Sequence, residues 1–415
     1  MSQPLLWKKD EPIYTSWLET DVYKILMSNS IFRYNTNLRA TFSFINRTDV
    51  DLLRYVDIEQ LKEELAHVAS LRHREDEISH LMSWGMFQSA FPKNLRELKH
   101  EMPEVSKTAA GKLAVEASGL WSHSSPWEIP TLAVIAELYG RGRAKDEGYS
   151  EADLYRQGME RLMEKVAFFN AHPYLHGSQF GLRRRFSSLW ERKMTEVLLN
   201  ETTFLTGVSN VWLARELGVE AQGTNAHELP MAAYAYARSK SNFDARQSIY
   251  KVLSDWQELY GQKALVMLPD TYGTDAFLKK LPDNFAYDWR GFRQDSGDTI
   301  LFGEKIIAYY KSFGNIDPRE KLIIFSDGLN KEKMLELYQH FAGRINVAFG
   351  VGTDLSNDMG LIKALSLVMK LSEVNGLPTV KLSDNIAKAT GDRTEIEVAK
   401  RIFGYTIQFN EKPIY

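Results

Sequence analysis

Lys321-Leu-Ile-Ile-Phe325 runs into Ser326-Asp-Gly-Leu-Asn330, then into the helix-like stretch Lys331–Phe341. A second apolar run, Ile345-Asn-Val-Ala-Phe349, follows and ends in Gly350-Val-Gly-Thr-Asp354. A short apolar run bounded by turn residues reads as a strand buried on both faces. Strand, polar loop, helix, strand is one βα unit. The same texture extends upstream. Ala264-Leu-Val-Met-Leu268 ends in Pro-Asp-Thr-Tyr-Gly-Thr274. Tyr287–Phe292 reads as a strand ending in Arg293-Gln-Asp-Ser-Gly-Asp298, with a helix predicted over Glu304–Ser312. Repetition of βα units about every 25–35 residues predicts a parallel sheet or barrel. In either architecture ligands gather at the carboxyl ends of the strands, where the informative loops lie.

The rest of the chain has a different texture. A helix is predicted over Val22–Tyr34 and a strand over Ala40-Thr-Phe-Ser-Phe-Ile45. Asp57–Ser70 and Arg74–Trp84 have amphipathic helical spacing, and Lys112–Ala117 with the region just before it reads as sheet. Ser122-His-Ser-Ser-Pro-Trp127 is a bend leading to a second unit that starts with the helix Thr131–Tyr139. Near the end, Ser366–Val374 and Pro378–Leu382 flank Asn375-Gly376, a strong hairpin signal outside the βα series. This hairpin is expected to return to the N-terminal module.

At 415 residues the chain has room for two domains, or for one large barrel with a second module. Hydrophobic content of 44% and charged content of 25% are those of an ordinary soluble globular protein. A net charge of −3 argues against a general nucleic-acid binder, so an anionic ligand must be held by local arginines. With no cysteine, disulfides, thiolate catalysis and cysteine-held metal are excluded. The N-terminal decapeptide lacks the apolar core of a signal peptide, and no apolar run approaches the roughly 18 residues that would span a bilayer. A cytoplasmic location is expected, with neither membrane nor nucleic acid as partner.

His227, in Ala221-Gln-Gly-Thr-Asn-Ala-His-Glu-Leu-Pro230, is one of only nine histidines and follows a short expected strand. Imidazole can form a covalent intermediate and exchange protons near pH 7. Taken alone, it could be an ordinary core histidine. Phe180-Gly-Leu-Arg-Arg-Arg-Phe-Ser187 offers three arginines suited to phosphate or carboxylate, or else a solvated helix start, with Phe180 in the core. Thr206-Gly-Val-Ser-Asn210 precedes the helix-like Val211–Leu217. It reads as an anion-binding helix start or as a plain N-cap. Arg293-Gln-Asp-Ser-Gly-Asp298 supplies a cation and two carboxylates, for ribose hydroxyls or Mg²⁺, or simply for a capped turn. The Gly-containing loops at Ser326-Asp-Gly328 and Gly350–Asp354 can present backbone N–H groups to phosphate, though glycine also marks plain βα turns. Neither a P-loop nor a dinucleotide fingerprint is present.

As an ordered series these segments resemble the nicotinate phosphoribosyltransferases. The series is Thr20-Asp-Val-Tyr-Lys24, Phe180–Ser187, Thr206–Asn210, Gly223-Thr-Asn-Ala-His-Glu-Leu-Pro-Met231, Leu268–Thr274, Arg293–Asp298, Phe325–Asn330 and Phe349–Leu355. The resemblance implies an α/β fold: an irregular TIM-like α/β barrel, residues 126–364, with an open-faced α/β sandwich built from residues 1–125 and 365–415. It implies formation of nicotinate mononucleotide and diphosphate from nicotinate and 5-phosphoribosyl-1-diphosphate, coupled to ATP hydrolysis, in NAD biosynthesis. Mg²⁺ is implied as cofactor, its ligands left open, and a homodimer with active sites at the interface as the assembly. His227 would become a phosphohistidine. Tyr23, reaching across from the partner, and Phe180 would sandwich the pyridine ring. Arg183 and Arg293 would bind substrate anions, and Asp295 would serve ribose hydroxyls or Mg²⁺. Ser209 stands where nicotinamide-using relatives carry an acid, so it favours nicotinate. Asp327, Gly328, Gly352 and Thr353 would hold the ribose phosphate. Leu182 departs from the small hydroxyl residue common at its position. The alternatives are a nicotinamide or quinolinate phosphoribosyltransferase on the same fold, or a non-catalytic nucleotide-binding barrel.

Overall fold

The computed structural model describes residues 5–411. The first four and last four residues of the expected sandwich module therefore lie outside the described residues. Among the described residues eleven strands occur in chain order: β1 Arg39–Asn46, β2 Glu104–Lys107, β3 Leu113–Leu120, β4 Gly177–Gln179, β5 Leu205–Val208, β6 Val266–Met267, β7 Gly291–Gln294, β8 Leu322–Phe325, β9 Asn346–Val351, β10 Leu367–Val374 and β11 Leu377–Pro378. They form two sheets. One is antiparallel with order β11-β10-β1-β3-β2; the other is parallel with order β5-β4-β9-β8-β7-β6.

The parallel sheet carries the expected irregular α/β barrel. Its end strands β5 and β6 are not hydrogen-bonded to each other among the described residues, so the barrel is not closed. β8, the opening Leu-Ile-Ile-Phe run, lies between β7 and β9 with Ile323 opposite Val347 and Phe292. Ile323 and Phe325 are completely buried, as an interior parallel strand requires. Gly291 on β7 is dictated by crowding: a Cβ there would lie 1.8 Å from the carbonyl oxygen of Leu322.

In the antiparallel sheet the two ends of the chain meet. β1 pairs with β10 from Ala40 opposite Val374 to Asn46 opposite Leu367, and on its other edge with β3. Ala40, Phe42 and Phe44 alternate into the core, while Ser43 meets Ser372 across the opposite face. The hairpin turn falls at Asn375 and Gly376, both at positive φ (50° and 74°), the geometry a two-residue turn needs.

Several elements match their sequence bounds: the helices Val22–Tyr34, Val211–Leu217 and Lys331–Phe341. Others differ for local reasons. Residues Asp283–Asp288 form a short helix after Pro282, so the strand expected over Tyr287–Phe292 begins only at Gly291. The bend at 122–127 is helical turn throughout and continues into the 20-residue helix Glu128–Glu147; Pro126 fits there because the first turn needs no N–H donor. No strand precedes His227. Ala221 makes one isolated bridge to Val208, and the next residues are irregular. No helix among the described residues is long and apolar enough to cross a membrane.

Candidate active site

A cavity of about 700 Å³ opens at the carboxyl ends of the parallel strands, and the face of β10 closes it from the other side. Tyr23, Phe180, Arg183, Ser209, His227, Arg293, Asp295, Asp327, Gly328, Gly352 and Thr353 all line it.

At one end the lining is aromatic. Phe180 follows β4, and Gly350 makes room for its ring: a Cβ at 350 would meet the ring at 2.5 Å. Tyr23 comes from the first turn of the helix Val22–Tyr34 of the same chain. That helix is brought here because its start is stitched to the end of β5: the Val22 N–H donates to the Ser209 carbonyl at 2.8 Å, and Asp21 bridges Asn210. Tyr23 therefore lines the cavity of its own chain. Arg183 lies over the Tyr23 ring at 5.6 Å and is held by Asp21 at 3.3 Å and Glu128 at 3.1 Å.

The three consecutive arginines part company. Arg183 and Arg184 line the cavity. Arg185 is 1% exposed and pairs with Glu19 and, at 2.9 Å, with Glu191, so it is a buried structural cation rather than a solvated one. Leu182 is completely buried, so its side chain is a packing group. Ser209 is also committed: its hydroxyl donates to the Asp21 carboxylate at 2.5 Å. Burial raises the Asp21 pKa to about 6 against the opposing pull of Arg183 and Ser209. The position next to Ser209 is thus not free of acid; the acid comes from Asp21.

His227 caps the helix Glu228–Arg238 at the other end. Its Nδ1 lies 2.9 Å from the Thr271 hydroxyl. Its Nε2 lies 2.9 Å from Asp295 and 2.7 Å from the Lys381 ammonium, with Asp270 at 3.6 Å. Nε2 faces a donor and an acceptor at once, so either neutral tautomer and the imidazolium all keep partners. Burial, reinforced by Lys381, pushes the imidazole pKa down. Asp295 behaves oppositely: burial would raise it, but Arg293 and His227 outweigh burial and hold it well below the usual carboxylate range. Arg293 meets Asp295 at 3.2 Å and Thr224 at 2.7 Å. His227, Asp270 and Asp295 also form a group whose ligand atoms lie close enough together to hold a metal ion.

The six-residue Arg293–Asp298 loop divides its labour. Asp295 enters the cavity, whereas Asp298 accepts from the Leu301 N–H at 2.7 Å and caps the helix Thr299–Lys311. One carboxylate thus lines the cavity and the other caps a helix. Asn210 likewise caps its helix, through the Leu213 N–H. Gly328, at φ 58° with open space around its α-carbon, and Gly352 at the start of a four-residue helix border the cavity nearby. Asp327 is ion-paired to Lys388.

Sequence reasoning missed Lys381, Asp270, Asp21 and Glu128. Asp270 and Asp21 sit inside motifs already singled out. Lys381 carries no local signal; only the return of the C-terminal segment places it on His227.

The comparisons with known proteins agree with this geometry. Residues 175–407 match the model of the nicotinate phosphoribosyltransferase family, and residues 18–136 match the model of its N-terminal domain. The nicotinate phosphoribosyltransferase structure from Porphyromonas gingivalis is 31% identical; the match covers 95% of this chain and 100% of that one, with a TM-score of 0.85. The structure from Vibrio cholerae is 30% identical and is matched over 96% of both chains at a TM-score of 0.86. The cavity, its motifs and these matches together place the chain in the nicotinate phosphoribosyltransferase family.

Proposed function

We propose that this enzyme joins nicotinate to 5-phosphoribosyl-1-diphosphate and drives the step with ATP through phosphorylation of His227. The observation that carries the proposal is the setting of His227: a partly buried imidazole held between Lys381, Asp295 and Thr271, in the same cavity as an aromatic-and-arginine pocket.

The pocket chemistry suits the substrates. Tyr23 and Phe180 offer faces to a flat pyridine ring, and Arg183 offers a cation to its carboxylate. The pyridine nitrogen attacks the anomeric carbon as diphosphate leaves, and no protein base is required for that nitrogen. The chain has to orient the ring, neutralise the departing charge and exclude water. Asp295 is assigned to the ribose hydroxyls or Mg²⁺, Arg293 to the ring carboxylate or the neighbouring phosphate, and the amides around Gly328, Gly352 and Thr353 to the 5-phosphate, with Asp327 among the substrate-binding residues. In the coupling reaction the imidazole takes the γ-phosphoryl group of ATP, and Lys381 supplies charge beside the bond that forms. Asp270 and Asp295 offer hard oxygen donors that fit Mg²⁺, which would supply charge neutralisation for the substrate phosphates. A homodimer, a cytoplasmic location and the division into residues 1–125 with 365–415 and residues 126–364 belong to the same reading; family membership supports them.

The test is nicotinate mononucleotide formation with and without ATP, with nicotinamide as the control substrate. Wild type is expected to use nicotinate and to hydrolyse ATP in step with product. His227→Asn is expected to abolish nicotinate-dependent ATP hydrolysis; full coupling in that variant would remove the phosphohistidine from the mechanism.

A further inference from the structure

Glu128 is the first residue of the helix Glu128–Glu147, and its side chain is 12% exposed at the cavity wall. It sits at the junction of three elements. One oxygen accepts from Nη1 of Arg183 at 3.1 Å. The other accepts from the Tyr23 hydroxyl at 3.1 Å and pairs with the Lys24 ammonium at 2.8 Å. Lys24, itself 2% exposed, also pairs with Glu228 at 2.6 Å, and Glu228 accepts from the indole N–H of Trp121 at 2.6 Å.

One carboxylate therefore fixes both an aromatic ring and a guanidinium that face the same end of the cavity. Asp21 takes Nε of Arg183 and Glu128 takes Nη1, so the guanidinium is held from two sides where it lines the cavity. The Tyr23 ring is pinned at its far tip, through its hydroxyl. Burial would push the Glu128 carboxyl pKa up, but Lys24 and Arg183 outweigh it and keep the group ionised. Such buried, charge-assisted bonds fix geometry as well as energy.

We infer that Glu128 is a positioning residue for the pyridine carboxylate subsite: it orients Tyr23 and Arg183 without touching the reacting atoms. The inference rests on the proposed placement of nicotinate between Tyr23, Phe180 and Arg183. Glu128 makes no hydrogen bond or ion pair with His227 and reaches that end of the cavity only through Lys24 and Glu228, so its loss is expected to act first on ring binding.

The experiment compares steady-state kinetics of the full-length enzyme carrying Glu128→Gln, Tyr23→Phe or both. Glu128→Gln is expected to raise the KM for nicotinate about tenfold or more, the worth of one or two buried charge-assisted bonds. KM for 5-phosphoribosyl-1-diphosphate and kcat should stay within about twofold, below the discrimination that 0.5 kcal/mol represents. The double variant should lose less than the product of the single losses, because both changes break the Tyr23–Glu128 bond. An unchanged nicotinate KM, an equal rise in both KM values, or independent single effects would each overturn the inference. Should Glu128→Gln fail to fold, Arg183→Lys and Tyr23→Phe in the Glu128 background take its place: a rise confined to the nicotinate KM supports the subsite, and a rise in both KM values refutes it. A wild-type enzyme that makes no nicotinate mononucleotide would instead defeat the functional reading on which this one rests.

Discussion

Asp21 shows how a buried charge can work against the fold that holds it. Its pKa rises from 3.8 to about 6 in the folded chain, chiefly through burial. The folded state thus binds this proton more tightly than the unfolded chain does. Stability contributed by the neutral carboxyl is present below about pH 4 and is lost as pH rises toward 6. Asp21→Asn removes that loss. The variant is expected to gain stability relative to wild type across this window, on the order of 2–3 kcal/mol above pH 6, and nothing at pH 3.5. Urea unfolding from pH 3.5 to 8 measures it, and a pH-independent difference would contradict the assignment. The same variant should bind nicotinate differently, because Ser209 and Arg183 both lean on the carboxylate it removes. On the proposed function, selectivity at this end of the cavity is therefore expected to depend on Ser209, Asp21 and Arg183 together rather than on the serine alone.

Among the elements, the parallel strands tolerate least. Gly291 stands on β7 where a Cβ would meet the Leu322 carbonyl at 1.8 Å, a backbone atom with no rotamer to yield. Gly291→Ala is expected to part β7 from β8 at a cost of about 3 kcal/mol, read as a lowered thermal midpoint. An unchanged midpoint would mean that the strands can spread freely. β6, β8 and β9 are legible in the sequence because they lie in short apolar runs that end in loops rich in Asp, Ser and Gly; β4, Gly177-Ser-Gln179, has no apolar run and carries no such signal. The boundary error at Tyr287 has a plain cause: Pro282 starts a helical turn in an apolar stretch whose composition suits a strand equally well. Asp295 and Asp298 could not be told apart from sequence, since which carboxylate caps a helix depends on where the strand ends. Lys381 and Glu128 were illegible for another reason. Lys381 meets His227 across 154 residues, and Glu128 meets Tyr23 across 105 and Arg183 across 55; no local spacing records such contacts.

On the scale of the whole molecule, the antiparallel sheet and the parallel sheet enclose one cavity between them. The proposed homodimer is a property at this scale. Sedimentation equilibrium of the purified protein is expected to give twice the chain mass, and a single-chain mass at working concentrations would count against it. A dilution series that shows activity falling in step with dissociation would tie the active sites to the interface.

The pairing of β1 with β10 joins residues 40–46 to residues 367–374, and Lys381 reaches His227 from just beyond that pair. During synthesis on the ribosome, the first third of the chain is made long before the strand that completes its sheet. β1 and β3 can pair early, yet one edge of β1 stays open until nearly nine-tenths of the polypeptide has emerged. An open strand edge invites pairing with other chains, and contacts this distant in sequence form slowly. The contact of Lys381 with His227 then forms late, only after the last strands have docked. A nascent chain released early would carry most of its motifs but lack the lysine that the proposed phosphoryl transfer uses.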